Sequence, residues 1–194
     1  MLVRQDDRVR LVTKGGHDWS KRFPWIVETA RKIRQKHFVL DGETVVLGVD
    51  GISDFNALHP RKHDAEVQFY AFDMLAGDGD DHRKLPLSVR KTNLARLLAR
   101  RSEGIFVAPF EQGDVGADLF RVDCGMGLKG LMSKHRERAY RAGRSPHWIK
   151  VKNRRHPAMD REFCPAAAAA RAGQFLPEPA VLPIVRGCIS SCRF

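Results

Sequence analysis

The chain has 194 residues and is 43% hydrophobic, enough for one domain with a buried core but not comfortably for two. Lysine and arginine number 34 against 23 aspartates and glutamates, which gives a formal net charge of +11 and a pI near 10.0. An excess of that size favours a polyanionic partner, with nucleic acid first and an anionic membrane second. No apolar run reaches the length of a membrane span and the amino terminus has no signal-peptide pattern, so a soluble, cytoplasmic protein without membrane partners is expected. Four cysteines do not make a disulfide framework, and Cys188 and Cys192 lack a second pair of ligands nearby, which argues against a metal site there.

Arg8 to Val12 alternates charged and apolar residues and predicts a half-buried strand, followed by a turn over Lys14-Gly15-Gly16-His17-Asp18. Phe23, Ile26, Val27, Ala30 and Ile33 recur at helical spacing, with Pro24 suited to the first turn and Arg31, Lys32, Arg34 and Lys36 largely off the apolar stripe. The β-branched stretch from Phe38 to Leu47 predicts a strand, with a turn over Val49 to Ile52 and a short helix capped by Ser53 or Asp54 through Leu58.

Glu66 to Leu75 predicts a second strand, and Gly77 to Asp81 a solvated acidic loop. A helix is expected from Ser88 to Arg101, with Val89, Leu94, Leu97 and Leu98 inward and Arg90, Lys91, Arg96 and Arg100 outward. Ile105 to Phe110 reads as a strand, a short helix opens at Asp114 or Asp118 towards Cys124, and Lys129–Lys134 and Trp148–Lys152 form two further short strands. Strands interleaved with helices and hairpin-like connections point to an α+β domain rather than a doubly wound sheet. From about Asp160 the composition shifts to an alanine run and then Pro177, Pro179 and Pro183, so residues 160–194 are expected to be a poorly ordered or frame-shifted tail.

Asp41-Gly42-Glu43 lies within a predicted strand, and period-two geometry puts both carboxylates on one face, about 6.5–7 Å apart at Cα. Such a pair suits a divalent cation or a ribose hydroxyl, although an exposed hairpin strand presents the same pattern. Alternation in Trp148-Ile149-Lys150-Val151-Lys152 sends Trp148, Lys150 and Lys152 to one face, and two ammonium groups on a rigid strand suit a phosphate. Phe69-Tyr70-Ala71-Phe72-Asp73 carries aromatics on both faces, fit for the core or for stacking on a base. The stretch from Arg136 to His156 mixes basic residues with Tyr140, His147 and Trp148, which suits a nucleic-acid backbone or a solvated loop.

In order along the chain, these segments resemble the motifs of ATP-dependent DNA ligases, above all the ligase domain of bacterial end-joining ligases. Thr13-Lys14-Gly15-Gly16-His17-Asp18-Trp19 resembles the family's TRNGxDW, and Asp41-Gly42-Glu43 its third nucleotidyltransferase motif. Phe69 to Leu75 is similar to the following motif, Gly130-Leu131-Met132-Ser133-Lys134 falls where the family has EGLVSK, and Trp148 to Asn153 is similar to the fifth motif. The resemblance covers about residues 1–159, and five ordered motifs are far more specific than any one alone.

The resemblance implies two antiparallel β-sheets with flanking helices, an ATP site between them, and an incomplete adenylation domain over residues 1–159. It implies ATP and Mg²⁺ as cofactors, nicked double-stranded DNA as substrate, and a role in DNA repair or recombination. Glu43 would belong to the ribose and metal environment, Phe72 (then Tyr70) would stack on adenine, and Lys134, Lys150 and Lys152 would face phosphate. Lys14, Arg136, Arg138, Arg141 and Arg144 are the corresponding candidates for nucleic-acid contact.

Three departures accompany the resemblance. The nucleophile motif KxDGxR, which relatives carry just upstream of the segment matching Leu2-Val3-Arg4, is absent from these residues, so a chain of this sequence is expected to be inactive. Lys129 stands where the fourth motif has glutamate, which reverses the charge offered to Mg²⁺. After Asp160 there is no pattern for the oligonucleotide-binding barrel that follows the fifth motif in relatives. The competing expectation is a non-catalytic remnant that binds nucleic acid or nucleotide.

Overall fold

A computed structural model describes residues 1–49, 58, 62–100, 103–113, 116–128 and 130–155, and the backbone of 180–183. The described chain divides into two compact units, Met1–Ala108 with Glu137–Arg141, and the residues from Pro109 onward without that segment. The expected turn at Asp50–Ile52, the helix capped by Ser53 or Asp54, the cap at Asp114, Lys129, and the tail apart from 180–183 all lie outside the described residues.

The first unit is built on β1 (Leu2–Gln5), β2 (Arg8–Leu11), β3 (His37–Val45), β4 (Gln68–Gly77), β5 (Asp80–Asp81) and β6 (Ile105–Val107). They form one sheet in the order β2-β1-β3-β4-β5, antiparallel throughout, with β6 added parallel to β4. Helix α1 (Pro24–Lys32) starts on Pro24 as its sequence anticipates and buries Ile26, Val27 and Ala30 in a core shared with Leu2, Leu11, Phe38, Leu40 and Phe69. Its C-terminal carbonyls are held by a side chain from β1: Arg4 Nη1 donates to the oxygens of Ala30 and Ile33, a cation placed where the helix dipole is negative.

Helix α2 (Leu87–Leu97) packs against β4. The expected orientation holds for Leu94, Leu98, Arg96 and Arg100 but is reversed at the start of the helix, where Arg90 and Lys91 are buried and Val89 is exposed. A buried counter-charge overrides the usual outward placement of arginine. Arg90 Nε and Nη2 donate to the two oxygens of Asp73 on β4 at 2.7 and 2.9 Å, with both side chains wholly removed from solvent. Arg90 Nη1 also donates to the carbonyls of Leu85 and Arg138, so the guanidinium ties the strand, the start of the helix and the Glu137–Arg141 segment together.

Two other expectations are corrected. The acidic stretch is solvated as expected but is a hairpin rather than a loop: Asp78 and Gly79 both have positive φ, which matches the twist of a two-residue turn leading into β5. The strand expected over Ile105–Phe110 is two strands, because Pro109 breaks the run. β6 pairs with β4 and β7 (Phe110–Gln112) belongs to the second unit.

In that second unit, β7, β8 (Gly130–His135), β9 (Trp148–Lys152) and β10 (Ala180–Pro183) form an antiparallel sheet in the order β7-β10-β8-β9. Helix α3 (Gly116–Gly125) packs on β8. Asn153 Nδ2, just past β9, donates to the carbonyl of Leu128 just before β8 and fastens the ends of that pair.

The Asp73–Arg90 pair supports a stability prediction. Arg90→Ala should cost about 3–5 kcal/mol in urea unfolding, because it strands a buried carboxylate. Asp73→Leu combined with Arg90→Met should lie much closer to the parent than either single change. A single substitution with no measurable effect would show that the pair is not buried as described.

Candidate nucleotide-binding residues and family

In the first unit the predicted residues lie on the β3–β4 ladder. Gly42 points into the core, where an added Cβ would come within 2.5 Å of the Phe69 ring and 2.6 Å of the Tyr70 carbonyl oxygen. Hydrogen is the only side chain that fits there, and alternation turns Asp41 and Glu43 to the opposite face. Glu43 stands directly across from Tyr70 and Asp41 across from Asp73, so each pair shares a face.

Between these two pairings β4 holds one residue more than β3, and that residue is Phe72. The resulting bulge shifts the alternation, which lets Asp73 join Asp41 and meet Arg90 instead of following Phe69 and Ala71 into the apolar core. Phe72 is half-buried, as is Tyr70, whose ring lies 5.4 Å from that of Phe106 on β6. The Tyr140 ring lies 6.0 Å from the Arg90 guanidinium carbon. Burial, and then the negative charges of Asp41 and Asp73, push the Tyr140 phenol above its usual range, so it stays protonated at neutral pH.

In the second unit the structure brings three predicted lysines together. The register sets Lys134 opposite Trp148, Met132 opposite Lys150 and Gly130 opposite Lys152, so Lys134, Trp148, Lys150 and Lys152 share one face of the β8–β9 pair. The other face carries Leu131 and Ser133, both fully buried, opposite Val151 and Ile149. Gly130 has φ +136°, and an added Cβ would lie 2.1 Å from the Val151 carbonyl oxygen, so glycine is what allows β8 to approach β9 beside Lys152. Lys134 is only 4% exposed, and its ammonium sits 4.3 Å from the centre of the Trp148 ring. Lys150 is half-buried and Lys152 exposed.

The residues proposed for nucleic acid are all on the surface: Lys14 in the turn after β2, and Arg136, Arg138, Arg141 and Arg144 between β8 and β9. The backbone of this connection is anchored in the first unit, where Leu87 N–H donates to the Arg138 carbonyl and Tyr140 N–H to that of Arg83. Sequence reasoning missed the Asp73–Arg90 pair and the Lys134–Trp148 contact. The second was within reach, since strand periodicity already placed Trp148 on the lysine face; the first required knowing which helix covers β4.

A family model described as "ATP dependent DNA ligase domain" matches residues 1–152. The multifunctional non-homologous end joining protein LigD of Pseudomonas aeruginosa is 34% identical over 151 residues, 76% of this chain and 18% of that protein. A probable DNA ligase of Streptomyces coelicolor is 30% identical over 164 residues, 77% of this chain and 32% of that protein. Among solved structures, the ligase domain of Mycobacterium tuberculosis LigD superposes with a TM-score of 0.65 at 31% identity, over 78% of this chain and 49% of that one. A mycobacterial DNA ligase D complexed with ATP and MES gives a TM-score of 0.65 at 31% identity, over 78% of this chain and 50% of that one. The chain thus spans a fifth to a third of these curated relatives and about half of these solved chains. With its family model matched over residues 1–152 and a LigD ligase domain superposing on it at 31% identity, the chain belongs to the ATP-dependent DNA ligase family.

Proposed function

We propose that residues 1–159 are the adenylate-handling part of a ligase that seals nicks in double-stranded DNA during repair or recombination. The observation that carries this reading is the single face of β8–β9 bearing Lys134, Lys150 and Lys152. Three ammonium groups on two adjacent strands of one sheet match a polyphosphate, and phosphoryl transfer depends mainly on such positioning and charge neutralisation. Lys150 and Lys152 neutralise the α-phosphate, and Lys134 contacts phosphate alongside them. On β3–β4, Glu43 takes the ribose and metal side, and Phe72 stacks on adenine, with Tyr70 as the second choice.

Mg²⁺ fits this arrangement in a limited way. No group of three or more potential ligands occurs among the described residues. One or two carboxylates completed by substrate phosphates is, however, the ordinary way for this ion to bind, and Glu43 beside Asp41 offers that. When bound, the ion would offset charge on the phosphate oxygens. Lys129, in place of the family's glutamate, adds positive charge in this chain's sequence and so works against the metal.

Residues 1–194 contain no KxDGxR, and no lysine in them stands in that context. On this reading the chain binds ATP but forms no lysyl-AMP. Incubation with ATP labelled at the α-phosphate, with Mg²⁺, should leave no label on the protein after denaturing electrophoresis, and a covalent AMP adduct would contradict the reading. In equilibrium binding, Lys150→Ala should weaken ATP about tenfold, the scale of one charge-assisted contact. Unchanged affinity would remove Lys150 from the site.

The exposed arginines between β8 and β9 favour a second reading, a non-catalytic nucleic-acid-binding remnant. If Arg136, Arg138, Arg141 and Arg144 each neutralise one phosphate, log K for nicked duplex should fall against log salt with a slope of about −3 to −4. Replacing Arg141 and Arg144 with glutamine should reduce that slope by about 2. Binding that ignores ionic strength would count against these contacts.

A further inference from the structure

We infer that Trp148 is a positioning residue for Lys134, its ring face holding that ammonium in place for a phosphate group. The inference rests on the phosphate reading of the β8–β9 lysines and goes beyond it by giving the tryptophan a role.

A lysine that is 4% exposed keeps little contact with water, and the neighbouring positive charges of Lys150 and Lys152 on the same face disfavour its charge further. The electron-rich face of an indole at 4.3 Å offsets part of this loss, within the range where cation–π attraction is strong and strongest for tryptophan. Directly opposed strand positions set the pair side by side: Lys134 and Trp148 are partners in the ladder, which keeps their Cβ atoms adjacent on one face. The turn before β9 holds the ring's backbone, since Trp148 N–H donates to the Ser145 carbonyl. A flexible four-carbon side chain is thereby restricted, and its charge stays on the face that carries Lys150 and Lys152. Ordering the group before the ligand arrives removes a cost that binding would otherwise carry.

The test is a double-mutant cycle on the full chain, read by calorimetric titration with two probes, Mg·ATP and inorganic pyrophosphate. Trp148→Leu should weaken binding about three- to tenfold, Trp148→Phe should keep most of the affinity, and Trp148→Leu added to Lys134→Met should do no further harm. Full additivity, or a Trp148→Leu variant that binds like the parent, would overturn the inference. A parent that binds pyrophosphate but not ATP would sink the nucleotide reading alone, with the cycle still decided on pyrophosphate; a parent that binds neither probe overturns both. A measurement that needs no variant covers the case of a misfolded mutant. In the parent, the Lys134 ε-methylene protons should be shifted upfield by the indole ring current, and ordinary lysine shifts would overturn the inference.

Discussion

Strand register is the constraint on which this protein's chemistry depends. Along a strand the side chains alternate, so a slip of one residue between β8 and β9 would send Lys150 and Lys152 to the side where Ile149 and Val151 now lie. The slip is opposed from both sides of the ribbon. Leu131 and Ser133 are fully buried on one face, and Gly130 is the residue that fits against the Val151 carbonyl on the other strand. The Asn153 to Leu128 hydrogen bond fixes the end of the pair. Thus the apolar half of the ribbon dictates where its charges point.

The β3–β4 ladder solves a similar problem with a defect. A perfectly regular β4 would place Asp73 on the same side as Phe69 and Ala71, in the apolar core. The extra residue at Phe72 breaks that alternation and brings Asp73 to Arg90, where a bidentate pair satisfies both charges away from water. The bulge, the aromatic proposed for base stacking and the pair that anchors α2 are therefore one local device. It also reaches the segment between β8 and β9, through the Arg138 carbonyl that Arg90 holds.

The parts legible in the sequence were those with a strict period. Trp148–Lys152 is the strand that alternation predicted, and α1 begins at Pro24 with the anticipated apolar stripe. The interleaved strands and helices carried the α+β class, and the ordered motifs carried the family and with it the two antiparallel sheets. The parts that were not legible depend on neighbours far away in the chain. Arg90 was placed outward because nothing within its own helix reveals a carboxylate 17 residues earlier on β4. The split of the 105–110 run was signalled by Pro109, but the pairing of β6 with β4 and β7 with β10 is a matter of topology. The Asp78-Gly79 hairpin carried a local signal that the surrounding acidic charge obscured.

The central claim is that the β8–β9 face bearing Lys134, Lys150 and Lys152 receives the phosphates of a nucleotide. The most direct measurement is an NMR titration of the isotope-labelled chain with Mg·ATP. The account predicts saturable shifts at Lys134 and over Trp148–Lys152 with a single dissociation constant. Saturable binding that leaves these positions unmoved, or no binding at all, would contradict it.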